Sequence, residues 1–259
     1  MIKKAKKALI LASSRGLGFA CADSLMSIGF IPTINGTSDE NLNAAKQKLE
    51  NKYKKRVMTL KGSISQKKDL NKFLEILETQ KFDCLVINSG GPAPGKFLSF
   101  SSADDFIKKN DEIIRPSVAI MHLASKIMIK KNWGRIINIS SIGLQKPIPD
   151  LAVSNASRSY LHGLMVGLAS ELGPFNVTVN TVCPGIIMTD RQVQLTKHAA
   201  KETGIAYDQI LEGKRKLTML GRLGQPNDIG EIVAFLASDA GAYITAQKIL
   251  VDGGAFGGA

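Results

Sequence analysis

The sequence predicts an α/β fold in which a doubly wound parallel sheet carries helices on both faces, and three observations support this. Short apolar runs alternate with longer segments of helical pattern along the whole chain. Several of these runs end directly in glycine-rich or polar segments, as strands do at the ligand-binding edge of a parallel sheet. The chain has 259 residues and shows no internal repeat or linker. We therefore expect residues 1–259 to form a single domain.

The first half of the chain alternates four strands with three helices. Each strand is a short apolar run that glycine or polar residues bring to an end. A Gly-rich turn follows the first strand, and the next helix ends at Gly29. The fourth strand is closed by 89–95, whose glycines and prolines cannot continue a helix or strand. The predicted elements are strand 7–12, helix 17–28, strand 30–34, helix 41–51, strand 57–60, helix 68–79 and strand 82–88.

The second half continues the alternation after one long helix. The fifth strand ends in Ser140 and Ser141, and the sixth ends at Cys183 and Pro184. Residues 189–220, which we call the lid segment, are polar and helical in pattern. The predicted elements are helix 103–131, strand 133–141, helix 153–172, strand 176–182, the lid segment, helix 229–238 and strand 248–251.

Composition excludes several classes of protein. A hydrophobic content of 44% with 22% charged residues is typical of globular domains. No stretch reaches the roughly 18 apolar residues of a membrane span, and the apolar run at 8–12 is too short for a signal peptide. We expect no membrane partner. The net charge of +12 is dispersed over many short runs without a nucleic-acid-binding motif, so nucleic acid is not the expected partner.

The cysteines indicate a reducing compartment. Cys21, Cys84 and Cys183 are an odd number of widely separated residues with no CxxC pair. This pattern argues against both a disulfide framework and a zinc site. We therefore expect a cytoplasmic protein without a bound metal.

The turn after the first strand is a candidate phosphate-binding loop. Gly16 and Gly18 open a helix there, where backbone N–H groups and the helix dipole can hold a pyrophosphate. Gly-rich turns also exist only to turn the chain, so this motif alone leaves both interpretations open. The other strand ends support the first interpretation, because they read Asn88-Ser-Gly-Gly, Asn138-Ile-Ser-Ser, Cys183-Pro-Gly-Ile-Ile-Met-Thr and Asp252-Gly-Gly.

In this order and over essentially the whole chain, these motifs resemble the short-chain dehydrogenase/reductase family. The closing segment is the most specific part, with Gly221-Arg-Leu-Gly-Gln-Pro, Ile232-Val-Ala-Phe-Leu-Ala-Ser, Tyr243-Ile-Thr and Val251-Asp-Gly-Gly. Within the family the sequence is similar to the 3-oxoacyl-carrier-protein reductase type. The resemblance implies a Rossmann-like fold, a dinucleotide cofactor, a small carbonyl or hydroxyl substrate and a homotetramer. The pairing faces would be helix 103–131, helix 153–172 and the closing strand. The resemblance also implies that the lid segment 189–220, the most variable part of the family, covers the substrate.

The resemblance also implies which residues bind the dinucleotide. The phosphate loop would contact the phosphates, the end of the fourth strand the adenine ribose, and the end of the sixth strand the nicotinamide. Ser63 stands where the family usually has an aspartate near adenine, and Ala12 replaces the first glycine of the loop. The implied residues are Ser14, Arg15, Gly16, Leu17, Gly18, Thr37, Ser63, Ile64, Asn88, Ser89, Gly90, Pro184, Gly185, Ile187 and Thr189.

The end of the second strand favours NADP(H) over NAD(H). An acidic residue at this point would hold the ribose 2′-hydroxyl of NAD, but the sequence reads Ile34-Asn-Gly-Thr. Asp39 lies a little beyond this end, and Arg15 is expected nearby. A 2′-phosphate would therefore meet a cation and hydroxyl groups rather than a repelling charge.

The catalytic positions depart from the family pattern of a serine, a tyrosine and a lysine four residues after the tyrosine. Ser141 matches the serine, but the tyrosine position is Ser154 and the lysine position is Arg158. Residues i and i+4 share a helix face, which is how the lysine lowers the pKa of the phenol. Serine ionises far less readily than a phenol and arginine stays charged. The asparagine expected on the preceding helix falls near Ile113, with Asn110 about one turn away.

Two functions stay open. In the first, an NADP(H)-dependent oxidoreductase uses Ser141 and Ser154 to hydrogen-bond a carbonyl, while Arg158 stabilises an oxyanion or a substrate carboxylate and water supplies the proton. The substrate would be 3-oxoacyl thioester-like or anionic. In the second, the chain is a catalytically impaired dinucleotide-binding or partner-binding protein. Arginine at this position also resembles the halohydrin dehalogenases, although those relatives keep the tyrosine.

Other side chains could take over the acid/base role. His162 lies on the stripe of Ser154 and Arg158 but about two turns further along, where a packing role is the simpler interpretation. Tyr160 points away from that stripe, and Tyr207 lies in the lid segment and could swing in. We expect His122 to be structural and Cys183 to be a small buried residue rather than a nucleophile.

Overall fold

The computed structural model describes residues 5–256 and contains one seven-stranded parallel sheet in the order β3-β2-β1-β4-β5-β6-β7. The strands are β1 Lys7–Ile10, β2 Ile31–Gly36, β3 Met58–Lys61, β4 Cys84–Asn88, β5 Gly134–Ile139, β6 Val177–Pro184 and β7 Lys248–Val251. The helices are α1 Gly16–Ser27, α2 Asp39–Tyr53, α3 Lys67–Gln80, α4 Ala103–Lys131, α5 Ala152–Leu172, α6 Asp190–Thr203, α7 Tyr207–Lys216 and α8 Pro226–Ala237. The predicted Rossmann-like α/β fold is confirmed.

Two hydrophobic cores cover the two faces of the sheet. Because side chains alternate along a strand, Ala8 and Ile10 of β1 face one core and Leu9 faces the other. The first core packs α1, α2 and α8 against the sheet, and the second packs α3, α4 and α5. Strands buried on both faces tend to read as continuous apolar runs, as β4 does. β6 is also buried along its whole length, although Thr178, Asn180 and Thr181 interrupt its apolar residues.

The order of the strands reverses between β1 and β4. From β1 the chain builds outward through β2 to β3, and then returns to place β4 on the other side of β1. A crevice opens outside the carboxyl ends of the strands at such a switch point. The segments that follow β1, β4, β5 and β6 meet at this edge of the sheet.

The lid segment differs in detail from the single helical stretch of the sequence prediction. It contains two helices, α6 and α7, and Gly204 separates them with a left-handed φ of +70°. Glycine is the residue that most readily adopts this conformation at the end of a helix.

Most other element ends lie one to three residues from their predicted positions, and two of these shifts have a clear structural cause. β1 stops at Ile10 because Ala12 takes a left-handed φ of +45°, which a strand cannot continue. α8 begins at Pro226, earlier than predicted, because proline fits the first helical turn and the Asp228 carboxylate accepts the Gln225 N–H at 2.7 Å. Within residues 5–256, none of the helices combines the length and the apolar content that a membrane crossing requires.

Candidate active site

A cleft runs along the carboxyl edge of the sheet and consists of two adjoining cavities. The inner and outer cavities share Ala12, Arg15 and the start of the loop after β4. The inner cavity is also lined by Gly16, Leu17, Ile139, Ser140, Ser141, Leu151, Ser154, Arg158, Pro184, Gly185, Ile187, Thr189, Asp190, Arg191, Gln192, Gln194 and Leu195. The outer cavity is also lined by Leu11, Ser14, Asn35, Gly36, Thr37, Ser38, Asn41, Gly62, Ser63, Ile64, Ser65, Lys109, Glu112 and Ile113.

The amino terminus of α1 opens onto this cleft without a capping side chain. No side chain accepts a hydrogen bond from its first turn, and that turn contains no acidic residue. By contrast, Ser38 caps α2 and Ser102 caps α4, each with acidic residues in the first turn. The free N–H groups and the positive end of the helix dipole of α1 therefore remain available to an anion.

Glycine is required twice in this turn. Gly16 has a left-handed φ of +57°, and a Cβ on Gly18 would lie 2.3 Å from the Ala12 carbonyl oxygen. Gly16 lines the inner cavity, whereas Gly18 is buried behind the loop and lines neither cavity. Gly18 therefore acts by letting the helix approach the loop closely rather than by facing the cleft.

Two asparagine side chains hold the loop at Ala12. The Ala12 N–H donates to Asn35 Oδ1 at 2.9 Å, and the Ala12 carbonyl oxygen accepts from Asn88 Nδ2 at 3.0 Å. Asn35 also donates to the carbonyl oxygens of Leu60 and Gly62, so it joins the ends of three strands. The sequence analysis did not single out Asn35, although a polar residue in an otherwise apolar strand is a recognisable signal.

The outer cavity places Thr37 and Ser38 beside Ser14 and Arg15 at the end of β2. Asp39 does not line this cavity, because its carboxylate pairs with Lys61. Ser63 and Ile64 also line this cavity, and the Ser63 N–H donates to Asp69 Oδ2 at 3.0 Å. This hydrogen bond lowers the pKa of the Asp69 carboxyl group.

These features fit a phosphorylated dinucleotide. The free amino terminus of α1 can receive a pyrophosphate, and the hydroxyls with the Arg15 guanidinium can receive a ribose 2′-phosphate. The one carboxylate that lines the outer cavity, Glu112, is paired with Lys109 at 3.2 Å. The donor set is therefore suited to anionic groups over the length of the cleft.

The inner cavity brings together Ser141, Ser154 and Arg158. Ser141 follows β5, and its Oγ accepts the Gly143 N–H at 3.0 Å. Ser154 and Arg158 lie one turn apart on α5, and Arg158 Nε donates to Ser154 Oγ at 3.0 Å. Arg158 Nη1 also donates to the Ile139 carbonyl oxygen at 3.3 Å. The three side chains that the sequence analysis selected therefore share one cavity.

The Arg158 guanidinium is strongly desolvated. Burial, together with the positive charge of Arg191, lowers the pKa of Arg158 to about 10. At neutral pH the side chain remains charged. Within residues 5–256, no carboxylate lies within ion-pair distance of it.

Two further residues of the inner cavity were missed by the sequence analysis. Arg191 of α6 donates through Nη1 to the Gly91 carbonyl oxygen at 2.9 Å and through Nη2 to that of Pro92 at 3.1 Å. Ser140 is buried, and its Oγ has no hydrogen-bond partner among the described residues. A charged residue directly after Thr189 and Asp190 at the start of the lid segment was the available signal for Arg191.

The alternative acid/base residues do not line the cleft. His162 Nδ1 lies 3.2 Å from Thr181 Oγ1, and burial lowers the pKa of this half-buried imidazole. Tyr160 and His122 lie on exposed faces of α5 and α4.

Two further candidates also lie outside the cleft. Burial raises the pKa of the Cys183 thiol to about 11, so it is not a thiolate nucleophile at neutral pH. Tyr207 begins α7 and lines neither cavity.

The expected asparagine position on α4 holds an apolar side chain. Ile113 lines the outer cavity, and Asn110, one turn earlier, is buried with Nδ2 donating to the Phe106 carbonyl oxygen at 2.8 Å. Asn110 Oδ1 has no partner in the described part of the chain.

Over residues 5–256, no three His, Cys, Asp or Glu side chains are grouped so that they could hold a metal ion.

Comparisons with known proteins extend over nearly the whole chain. A family model described as enoyl-(acyl carrier protein) reductase matches residues 11–255. The chain is 32% identical over 256 residues to 3-oxoacyl-(acyl-carrier-protein) reductase FabG of Aquifex aeolicus, with 97% of each chain covered. Its fold is similar to YwfH, an NADPH-dependent reductase involved in bacilysin biosynthesis, with a TM-score of 0.90, 27% identity, and 97% and 98% of the two chains covered.

A third relative is a solved 3-oxoacyl (acyl-carrier-protein) reductase of Agrobacterium tumefaciens with NADP bound. The two structures have a TM-score of 0.84 at 25% identity, and the match covers 96% of this chain and 93% of the other. The similarity therefore includes the cleft as well as the sheet.

Proposed function

The chain belongs to the short-chain dehydrogenase/reductase family, and from this premise we propose that it is an NADP(H)-dependent oxidoreductase acting on a carbonyl or hydroxyl group of a small molecule. The observation that carries the proposal is the continuity of the cleft. The uncapped amino terminus of α1 and the hydroxyl-rich end of β2 share it with Ser141, Ser154 and Arg158. Relatives that bind or depend on NADPH support the choice of cofactor.

Four groups of residues would hold the cofactor. The turn at the start of α1 would bind the pyrophosphate, and Thr37 with Arg15 would bind the 2′-phosphate of the adenosine. The end of β4 would contact the adenine ribose, and the segment after β6 would contact the nicotinamide. The residues in this proposal are Ser14, Arg15, Gly16, Leu17, Thr37, Ser63, Ile64, Asn88, Ser89, Gly90, Pro184, Gly185, Ile187 and Thr189, and Gly18 supports the turn from behind.

The site residues act on the substrate oxygen. When bound, the reduced nicotinamide supplies a hydride to a carbonyl carbon, and the oxygen then needs one proton. Ser141 Oγ and Ser154 Oγ each accept a hydrogen bond from the protein, so their own hydroxyl protons are free to point at the substrate oxygen. Arg158 places a full positive charge beside the oxyanion that develops there.

We place Ser154 and Arg158 at the family's tyrosine and lysine positions, so the acid/base machinery of this chain is altered. A phenol has a reference pKa of about 10 that a neighbouring cation can lower, whereas a serine hydroxyl does not ionise in this range. The proton therefore comes from water through the Ser154 hydroxyl. This arrangement supports an atypical member of the 3-oxoacyl-carrier-protein reductase type.

The same substitution supports a second candidate function, a dinucleotide-binding or partner-binding protein without redox turnover. The two candidates differ in one measurement. An oxidoreductase oxidises NADPH with a carbonyl compound, while the second candidate binds NADPH without oxidising it.

We further propose the assembly, compartment and lid of this protein. Apolar side chains exposed on α5 and near β7, such as Tyr160 and Tyr243, support a homotetramer. Three free, buried cysteines support a reducing cytoplasm. Residues 189–220, whose helix α6 lines the inner cavity through its first residues, form a lid over the substrate within the single domain 1–259.

The experiment that tests the cofactor is a titration of wild type and Thr37→Asp with NADPH and NADH, followed by nicotinamide fluorescence. The exposed Thr37 lines the outer cavity, so a carboxylate there would repel a 2′-phosphate. We expect the NADPH dissociation constant to rise about 10- to 100-fold and the preference to shift toward NADH. Asn43→Asp adds the same charge on the exposed face of α2 and is the matched control.

Two results would contradict the proposal. The first is that the wild-type protein binds NADH as tightly as NADPH. The second is that Thr37→Asp leaves the NADPH dissociation constant unchanged. NADPH oxidation with a panel of carbonyl compounds then separates the two candidate functions.

A further inference from the structure

Two arginines of the inner cavity belong to different elements and have no acidic partner. Arg158 comes from α5 and Arg191 from the first turn of α6. Both use neutral acceptors, which are Ser154 Oγ and the Ile139 carbonyl oxygen for Arg158, and the Gly91 and Pro92 carbonyl oxygens for Arg191. Among residues 5–256, no carboxylate lies within ion-pair distance of either one.

The two charges are close enough to repel one another. The charge of Arg191 is one of the causes that lower the pKa of Arg158, second to burial. Holding a desolvated cation beside a like charge is unfavourable unless an anion compensates both. The one acidic side chain that lines the inner cavity is Asp190, against the three arginines Arg15, Arg158 and Arg191.

A second and independent observation is the buried hydroxyl of Ser140. Its residue is 6% exposed and lines the inner cavity, and Oγ has no hydrogen-bond partner in the described part of the chain. Buried polar atoms are nearly always satisfied, and a rotation of the Ser140 side chain toward the cavity would let a bound ligand complete its hydrogen bonding. Ser140 is adjacent to Ser141, so this ligand would reach the same place as the substrate carbonyl.

We propose that the substrate is an oxo acid whose carboxylate binds between Arg158 and Arg191 while its carbonyl oxygen is held by Ser141 and Ser154. This inference rests on the proposed oxidoreductase function and names its substrate class. The guanidinium fork pairs with a carboxylate through two parallel hydrogen bonds, which orients the molecule as well as binding it. Because Arg158 contacts Ser154 directly, the carbonyl lies one or two carbons from the carboxylate, as in 2-oxo and 3-oxo acids.

A carboxylate bound to Arg191 would contact the lid segment, because Arg191 belongs to the first turn of α6. It joins the first turn of α6 to the loop after β4, and Thr189 caps the same helix by accepting the Gln192 N–H at 3.3 Å. An anion at Arg191 would thus bind at the point where the lid meets that loop. A neutral molecule of the same shape would leave both arginines uncompensated.

The test compares oxo acids with their methyl esters, which have the same carbonyl but no charge. Pyruvate, 2-oxobutyrate, phenylpyruvate and acetoacetate are each paired with the methyl ester. Binding is measured by saturation-transfer NMR in nucleotide-free protein and in protein saturated with NADP⁺, and turnover by NADPH oxidation. We expect at least one acid to bind about 10-fold or more tightly than its ester, because a charge-assisted pair contributes about 1.5–3 kcal/mol.

The variants assign this preference to the two arginines. Arg158→Gln and Arg191→Gln should each lower the ratio of acid to ester affinity about 10-fold, and Arg191→Lys should restore part of the loss. Arg56→Gln removes an exposed arginine beyond α2 and should leave the ratio of acid to ester affinity unchanged. The NADPH dissociation constant is measured for every variant.

Three outcomes would overturn the inference. In the first, the esters bind as tightly as the acids. In the second, no acid of the panel binds. In the third, Arg191→Gln lowers the affinity for NADPH rather than the affinity for the acid. If wild type fails to bind NADPH, the proposed oxidoreductase function fails instead. The comparison of acid with ester in nucleotide-free protein then still decides whether the arginine pair binds a carboxylate.

Discussion

Ala12 holds a backbone conformation that its own side chain disfavours. Its φ of +45° lies in the left-handed region, which costs an L-residue about 1–2 kcal/mol relative to glycine. The conformation is fixed by hydrogen bonds from both sides, because Asn35 binds the N–H and Asn88 binds the carbonyl oxygen. The strain is therefore maintained by the neighbouring strands at the turn that we assign to phosphate binding.

Ala12→Gly should stabilise the protein. Removing the strain outweighs the greater backbone entropy of glycine in the unfolded chain, which leaves a net gain of about 0.5–1 kcal/mol. For a chain of this size we expect the melting temperature to rise by roughly 1–3 °C in a thermal unfolding experiment. Ala44→Gly on the exposed face of α2 is the matched control and should lower it, since glycine costs about 1 kcal/mol in a helix. A fall for both variants would show that Ala12 is not strained.

At the scale of secondary-structure elements, the packing of α1 against α8 positions the turn that we propose for phosphate binding. The two helices meet through Gly230, where a Cβ would lie 2.5 Å from the Ala20 carbonyl oxygen and 2.7 Å from Ser24 Oγ. Ser24 Oγ also donates to Glu231 Oε1 at 2.9 Å, which joins the same two helices. Because the nearest atom belongs to the backbone, an added side chain can be accommodated only by moving a helix.

Gly230→Ala should therefore destabilise the protein by about 1–3 kcal/mol, the usual cost of overpacking. Thermal unfolding should show a melting temperature lower by roughly 3–10 °C. Gly213→Ala tests the opposite case, because Gly213 is exposed on α7 with open space around it. There the better helix propensity of alanine should add about 1 kcal/mol of stability. An unchanged melting temperature for Gly230→Ala would mean that α1 and α8 can separate freely.

Most elements could be predicted from the sequence because burial on both faces of the sheet leaves a direct pattern. α4 and β7 begin and end at the predicted residues, and each strand appears as an apolar run ended by glycine or polar residues. The division of the lid segment was missed because polar residues of helical pattern lie on both sides of residues 203–207, and the short break between them was read as part of one stretch. Gly204 was the available signal, since a glycine at this point commonly ends a helix.

The candidate site was predictable only where a motif fixes a residue at a strand end or on one helix face. Ser154 and Arg158 share a face of α5 by their spacing, so their contact followed from helix geometry. The role of Arg191 depends on the path of the loop after β4, and that of Ser140 on which hydroxyl lacks a partner. Both are properties of tertiary packing, which spacing along the chain does not encode.

At the scale of the whole molecule, some of the exposed apolar side chains lie on the two surfaces that we propose for pairing. Tyr160 is 54% exposed and lies with Val166 on α5, and the fully exposed Tyr243 precedes β7 in the chain. Large apolar side chains in contact with water are typical of surfaces that bind another protein. Each chain also carries a net charge of +12, so four chains repel one another, and salt should strengthen the assembly by screening this charge.

Wild type should sediment at four times the 27.9 kDa mass of the chain in 0.15 M salt. Tyr160→Glu should give a dimer, because a carboxylate buried in one of the two pairing surfaces has no partner and disrupts that surface alone. Tyr243→Glu should also give a dimer through the other surface, and the double variant should be a monomer. Ile205→Glu, at a 47% exposed apolar residue between α6 and α7, is the control and should remain tetrameric. A wild-type chain that sediments as a monomer at micromolar concentration would contradict the tetramer, and a tetrameric double variant would place the interfaces elsewhere on the surface.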